Sequence, residues 1–139
     1  FPLDEGQVYA VASTLGTRTG NSVYVALGVN RFPAKMGVAN LSDRDLEDTA
    51  EGYAAYVSDP DPFYLYYFAR DCTGLEALTD GNCLSITDEM IPICPEPGDP
   101  ECDRAVFSQR DYIRPGTQRG PDSLLVLRPV VLKLHRPAQ

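Results

Sequence analysis

Phe63-Tyr64-Leu65-Tyr66-Tyr67-Phe68-Ala69-Arg70-Asp71-Cys72 is the most aromatic run in the chain, and it leads into the only region that holds cysteine. Just ahead of it stands Asp59-Pro60-Asp61-Pro62. Each proline locks its own φ and drives the residue before it to extended geometry, so a strand begins no earlier than Phe63. Along that strand Phe63, Leu65 and Tyr67 point one way and Tyr64, Tyr66 and Phe68 the other. Neither face is plainly polar, so the strand is either covered on both sides or lined on one by tyrosines. A tyrosine ring is apolar while its hydroxyl needs a partner or water. A face carrying Tyr64 and Tyr66 therefore suits a core strand with hydroxyls bonded at its rim, or a ligand cleft.

The cysteines that follow, Cys72, Cys83, Cys94 and Cys102, permit three connectivities. Their spacing is not that of CxxC zinc or redox motifs and no histidine lies near them, so disulfides are expected rather than a metal. The favoured pairs are sequence neighbours, Cys72–Cys83 and Cys94–Cys102. Each short closed loop then stabilises the fold by about 2.5–3 kcal/mol through lost unfolded-state entropy. A nested pairing, Cys72–Cys102 with Cys83–Cys94, is the rival that spacing leaves open.

Two disulfides imply an oxidising compartment. The chain opens at Phe1 without an initiator methionine, which fits a mature form after removal of a signal peptide. It contains no apolar run of about 18 residues, the length that marks a spanning helix, so no membrane insertion is expected. Asn40-Leu41-Ser42 is an N-glycosylation sequon, with Asn40 the acceptor. At 139 residues the chain has the length of one domain, here residues 1–139, with enough residues to bury a true core. The expectation is a soluble protein secreted to the extracellular space.

The net charge of −8 is unevenly spread. Residues 1–70 hold nine acids and five bases, residues 71–102 eight acids and no base, and residues 103–139 three acids and seven bases. The dominant negative field repels phosphate, which excludes nucleic acid as a partner of the whole molecule. The basic C-terminal third either neutralises the acidic segment across the fold or forms a face for an anionic glycan or lipid headgroup.

Elsewhere the runs read mostly as strands. Residues 8–14 and 22–29 have strand composition, with Val23, Val25, Leu27 and Val29 on one side of the second. The two are expected to pair as an antiparallel hairpin. A short third strand is expected over 36–41. Ser42 then caps a helix over 43–51 that presents Leu46, Thr49, Ala50 and Tyr53 on one face and ends at Gly52. Residues 84–87 should pair with the aromatic strand, and residues 104–113, 123–127 and 130–134 read as further strands. Pro129 must mark a bulge, an edge or a break between the last two. The predicted fold is all-β: an antiparallel sandwich or closed barrel of about seven to nine strands, with one short α-helix and two disulfides.

Little here points to catalysis. His135 is the only histidine, near the C-terminus and flanked by Lys133 and Arg136, and with the cysteines paired no thiol nucleophile remains. The acids at 43, 45, 47, 48 and 51 lack a calcium-loop pattern and read as a solvated helix face. Neither a metal nor a cofactor is expected. A carboxylate-based hydrolase acting on a glycan or ester stays as an alternative, as does a proteinase inhibitor.

Binding is the stronger expectation. Cys94-Pro95-Glu96-Pro97-Gly98-Asp99-Pro100-Glu101-Cys102 places three prolines in a loop that a disulfide would close, and such a loop loses little entropy on docking. Tyr64 and Tyr66 with Glu96, Pro97, Asp99 and Glu101 are the candidate recognition residues. The partner expected is a protein receptor or target with a basic surface, met by an effector- or elicitor-like secreted protein.

Overall fold

A computed structural model of the chain describes residues 1–96, 99–117, 122 and 124–136. Alternation of apolar residues produces seven strands among them: β1 (Gln7–Thr14), β2 (Tyr24–Phe32), β3 (Met36–Ser42), β4 (Phe63–Ala69), β5 (Cys83–Ser85), β6 (Arg104–Tyr112) and β7 (Val130–His135). They form two sheets. Sheet A has the order β5-β4-β1-β7 and sheet B the order β3-β2-β6. The molecule is thus a two-sheet β structure and not a closed barrel.

The core lies between the sheets. Tyr9 and Val11 of β1 and Tyr64 and Phe68 of β4 meet Val25, Leu27 and Val29 of β2, Leu41 of β3 and Ala105 of β6. Phe68 and Phe107 face each other with ring centroids 4.8 Å apart. β4 begins at Phe63, as the prolines before it dictate, and its two sides serve two clusters. Tyr64 and Phe68 enter the main core, whereas Tyr67 and Ala69 join Val8, Ala10 and Leu75 on the outer side of sheet A. The strand is covered on both faces.

Both disulfides join sequence neighbours, Cys72–Cys83 and Cys94–Cys102. The first closes a crossover that carries α2 (Glu76–Thr79) and lays Leu75 over the outer cluster. Asp80 and Gly81, at φ +50° and +80°, then turn the chain into β5. Because this crossover brings the chain back alongside Tyr67–Ala69 running in the same direction, β5 pairs with the last residues of β4 in parallel, which departs from the antiparallel arrangement expected throughout.

Other expectations need correction. β1 and β2 do not form a hairpin: β1 pairs with β4 and β7, and β2 with β3 and β6. The chain crosses between sheets in the intervening loop. The helix after Ser42 is α1 (Asp43–Leu46), a single turn, followed by a separate 3-10 turn at Glu51–Tyr53 that contains Gly52 instead of ending at it. The start is as expected, for the backbone N–H and hydroxyl of Ser42 both donate to Asp45, at 2.8 and 2.7 Å. The interruption lies at Glu47, whose ψ of 140° is not helical, and at Asp48, whose φ is +64°; beyond them the Thr49 hydroxyl donates to the Leu46 carbonyl and accepts from the N–H of Leu65 in β4. Residues 124–127 are not a strand; Ser123 lies outside the described residues. Leu127 is instead tied to the end of β1 by side chains, its N–H donating to Thr14 Oγ1 and its carbonyl accepting from Ser13 Oγ. Pro129, lacking a donor, stands at the break before β7.

Candidate functional site

At one end of the molecule, the end of β4, the start of β6 and the N-terminal segment come together around Arg70. Its side chain is only 10% exposed and acts as a clamp. It donates to the carbonyl of Leu3 at 2.7 Å, to those of Ile86, Thr87 and Pro92 at 3.3–3.4 Å, and to that of Ile91. Asp88 pairs with it at 3.3 Å. Burial presses the guanidinium pKa downward, and the carboxylates of Asp88, Asp4 and Glu5 work against that shift. A planar five-donor group suits this place, because several carbonyls left by irregular backbone converge there.

The segment that Arg70 holds runs straight into the loop closed by Cys94–Cys102, whose Cα atoms are 5.5 Å apart. The loop bonds to itself: Asp99 N–H to the Glu96 carbonyl at 3.1 Å, Cys102 N–H to the Asp99 carbonyl at 3.2 Å, and Glu101 N–H to Asp99 Oδ1 at 2.8 Å. Glu96 and Glu101 are exposed and Asp99 is half-buried. Pro97 lies outside the described residues. Beside the loop is a cavity of about 290 Å³, bounded by Leu3, Arg70, Pro92, the disulfide of Cys94 and Cys102, and Arg104. Asp103, on its rim, is engaged by Arg31 at 2.5 Å.

The acidic segment keeps its field. Among the described residues, the only carboxylate of residues 71–102 in an ion pair is Asp88, and its partner is Arg70 rather than a base of the C-terminal third. Arg136 reaches the backbone carbonyl of Asp71 instead. Neutralisation across the fold, one of the two readings of the charge pattern, has no direct ion pair behind it among these residues.

The tyrosines lie elsewhere. Tyr64 is 1% exposed, and its hydroxyl donates to Gln109 Oε1 at 2.8 Å inside the core. Burial drives its pKa well upward. Tyr66 is half-buried on the same side of β4, its ring 5.7 Å from that of Phe68. Its pKa is raised by burial and, to a lesser degree, by the charge of Asp45. Tyr64 stands six residues before Arg70, about 20 Å along an extended strand. The structure therefore brings Glu96, Asp99 and Glu101 together and leaves the tyrosines in and beside the core. Arg70 and the cavity it borders are what sequence reading missed. A single arginine ending an apolar run carries no signal that its guanidinium will turn inward.

The remaining candidates are dispersed. His135 is exposed on β7, opposite Gln7. Asn40 is exposed on β3. On the acidic face after Ser42, Arg18 meets Glu47, Asp48 and Asp61 at 3.5–3.6 Å, an exposed network of ordinary surface ion pairs. Among the described residues no three His, Cys, Asp or Glu side chains cluster so as to hold a metal ion, and no helix is long and apolar enough to cross a membrane. Comparison of the chain with protein-family models, with curated proteins and with solved structures found no match.

Proposed function

We propose that this is a non-catalytic binding protein of the extracellular space, effector- or elicitor-like, which recognises a basic surface on a protein partner through Glu96, Asp99 and Glu101. The observation that carries the reading is the loop closed by Cys94–Cys102. Its described residues are held by a disulfide, by hydrogen bonds among themselves and, through the preceding segment, by Arg70. A loop ordered before docking spends little binding energy on ordering, and carboxylates that have no ion pair among the described residues steer a cationic partner. The adjoining cavity, lined by Leu3, Pro92 and the disulfide together with Asp and Arg side chains, offers a recess for one side chain of that partner. The two disulfides favour secretion.

The test compares the native protein with the variant E96Q/D99N/E101Q, whose amides keep the loop's acceptor oxygens while removing charge. Each is immobilised to capture partners from extracellular fluid, and association rates of the captured protein are followed over a salt series. The native form should associate about tenfold faster at low salt, and the advantage should vanish as salt rises. Equal rates and equal salt slopes for the two forms would reduce the loop to a brace.

A further inference from the structure

The outer surface of sheet B is built unlike the rest of the molecule. Val25, Leu27 and Val29 are buried, so Tyr24, Ala26, Gly28 and Asn30 of β2 point away from the core. Register places Gly28 between Asn40 of β3 and Ser108 of β6, Ala26 beside Arg110, and Tyr24 beside Tyr112. The small residues Gly28 and Gly37 lower the middle of this surface, leaving a shallow hollow of about 370 Å³. A Cβ on Gly28 would lie 3.2 Å from Ser108 Oγ and 3.7 Å from Asn30 Nδ2, so any larger residue there would fill the floor.

The rim is polar and only partly self-satisfied. Asn30 Nδ2 donates to Ser108 Oγ at 2.9 Å, which orients the amide. Among the described residues, the Asn40 side chain makes no hydrogen bond, and Arg110 makes neither a hydrogen bond nor an ion pair. None of the residues bounding the hollow is a carboxylate, in a chain with twenty acids. Tyr24 and Tyr112 close one end edge-to-face at 5.3 Å, with Tyr112 half exposed. From that pair to Asn30 the strand runs about 20 Å.

We propose that this surface is a binding site for an extended acidic oligosaccharide. Amides and hydroxyls that both donate and accept suit a ligand studded with hydroxyl groups. A floor without side chains lets a flat ring approach the backbone, and the exposed tyrosine offers an aromatic edge with a polar tip. The unpaired Arg110 fork selects a sugar carboxylate, which it can hold through two parallel hydrogen bonds. The site uses the basic C-terminal third and shares no residue with the braced loop, so it stands whether or not that loop binds protein.

The experiment is calorimetric titration of the protein, made in a host that does not N-glycosylate, with uronic-acid oligosaccharides and with neutral oligosaccharides of equal length. Saturable binding of the uronates is expected, with the neutral series about tenfold weaker. R110Q should bring the uronates down to the neutral level, and G28V should weaken both series about tenfold by filling the floor. Thermal melts establish that each variant is folded, and R110Q, at an exposed position, keeps the test decisive if G28V is not. Absence of saturable uronate binding, equal binding of the neutral series, or uronate binding unaltered in R110Q would each overturn the proposal.

Discussion

Arg70 shows how much one side chain can hold. Its donors meet the carbonyls of Leu3 and of several residues between 86 and 92, backbone that belongs to no strand and that is buried at Leu3, Ile86 and Ile91. Replacing it with methionine keeps the apolar stem and removes every one of those bonds. R70M should lose about 2–4 kcal/mol in urea unfolding, since the buried acceptors at Leu3, Ile86 and Ile91 are left without their partner. Hydrogen exchange should rise in residues 86–94 and stay unchanged in β2 and β3. A uniform rise across the molecule would mean that Arg70 supports the whole core and not this segment. Thr49 is the smaller counterpart, since one hydroxyl ties the end of α1 to β4.

The two disulfide-closed loops are elements of similar length with different roles. The Cys72–Cys83 loop carries Leu75, 4% exposed, onto Val8, Ala10, Tyr67 and Ala69, so it roofs the outer side of sheet A. Of the loop of Cys94 and Cys102, no described residue joins either buried cluster. Chain entropy alone gives each disulfide about 2.5–3 kcal/mol. C94A/C102A should therefore lose about that amount and keep its unfolding cooperative. C72A/C83A should lose more, because freeing the roof also exposes apolar surface at about 25 cal/mol per Å². Urea midpoints of the two variants decide the matter, and a larger loss in C94A/C102A would contradict these roles. β7, the outermost strand of sheet A beside β1, turns Lys133 to the core-facing side and leaves it exposed, a charge that discourages another strand from pairing there.

At the scale of the whole molecule, the tyrosines make stability depend on alkaline pH. Tyr64 is held well above the ordinary tyrosine range by burial, and Tyr67 by burial and by the hydroxyl of Tyr53 bonded to its own. In the unfolded chain both ionise near pH 10 or so. Their folded pKa values are raised, so the unfolded state releases protons first. The stability they protect is complete below about pH 10 and falls as pH climbs above it. Phenolate absorbance should show Tyr64 and Tyr67 ionising only in a late, cooperative step that coincides with loss of the near-ultraviolet circular dichroism. Y64F removes one of these groups and should move that step to higher pH. An unmoved step would show that another group governs alkaline unfolding.

What sequence alone determined about this protein is local. Pro60 and Pro62 forbade a strand before Phe63, alternation divided β4 between two clusters, and Ser42 with Asp45 started a helical turn. The β class and the presence of disulfides follow from composition, although spacing could not by itself choose neighbour over nested pairing. Tertiary structure decided the partners. Alternation tells a strand which face to bury and is silent on which strand lies beside it. β1 and β2, adjacent in sequence, were therefore separated into two sheets, while β1 took β7 from the far end of the chain. The same limit hid the candidate surfaces. Arg70 became a clamp only when the N-terminal segment and residues 86–92 closed around it. Gly28, Asn40, Ser108 and Arg110 became one surface only through the register of three strands. That register is the sum of many weak cross-strand contacts between residues far apart in sequence, and no short stretch encodes it.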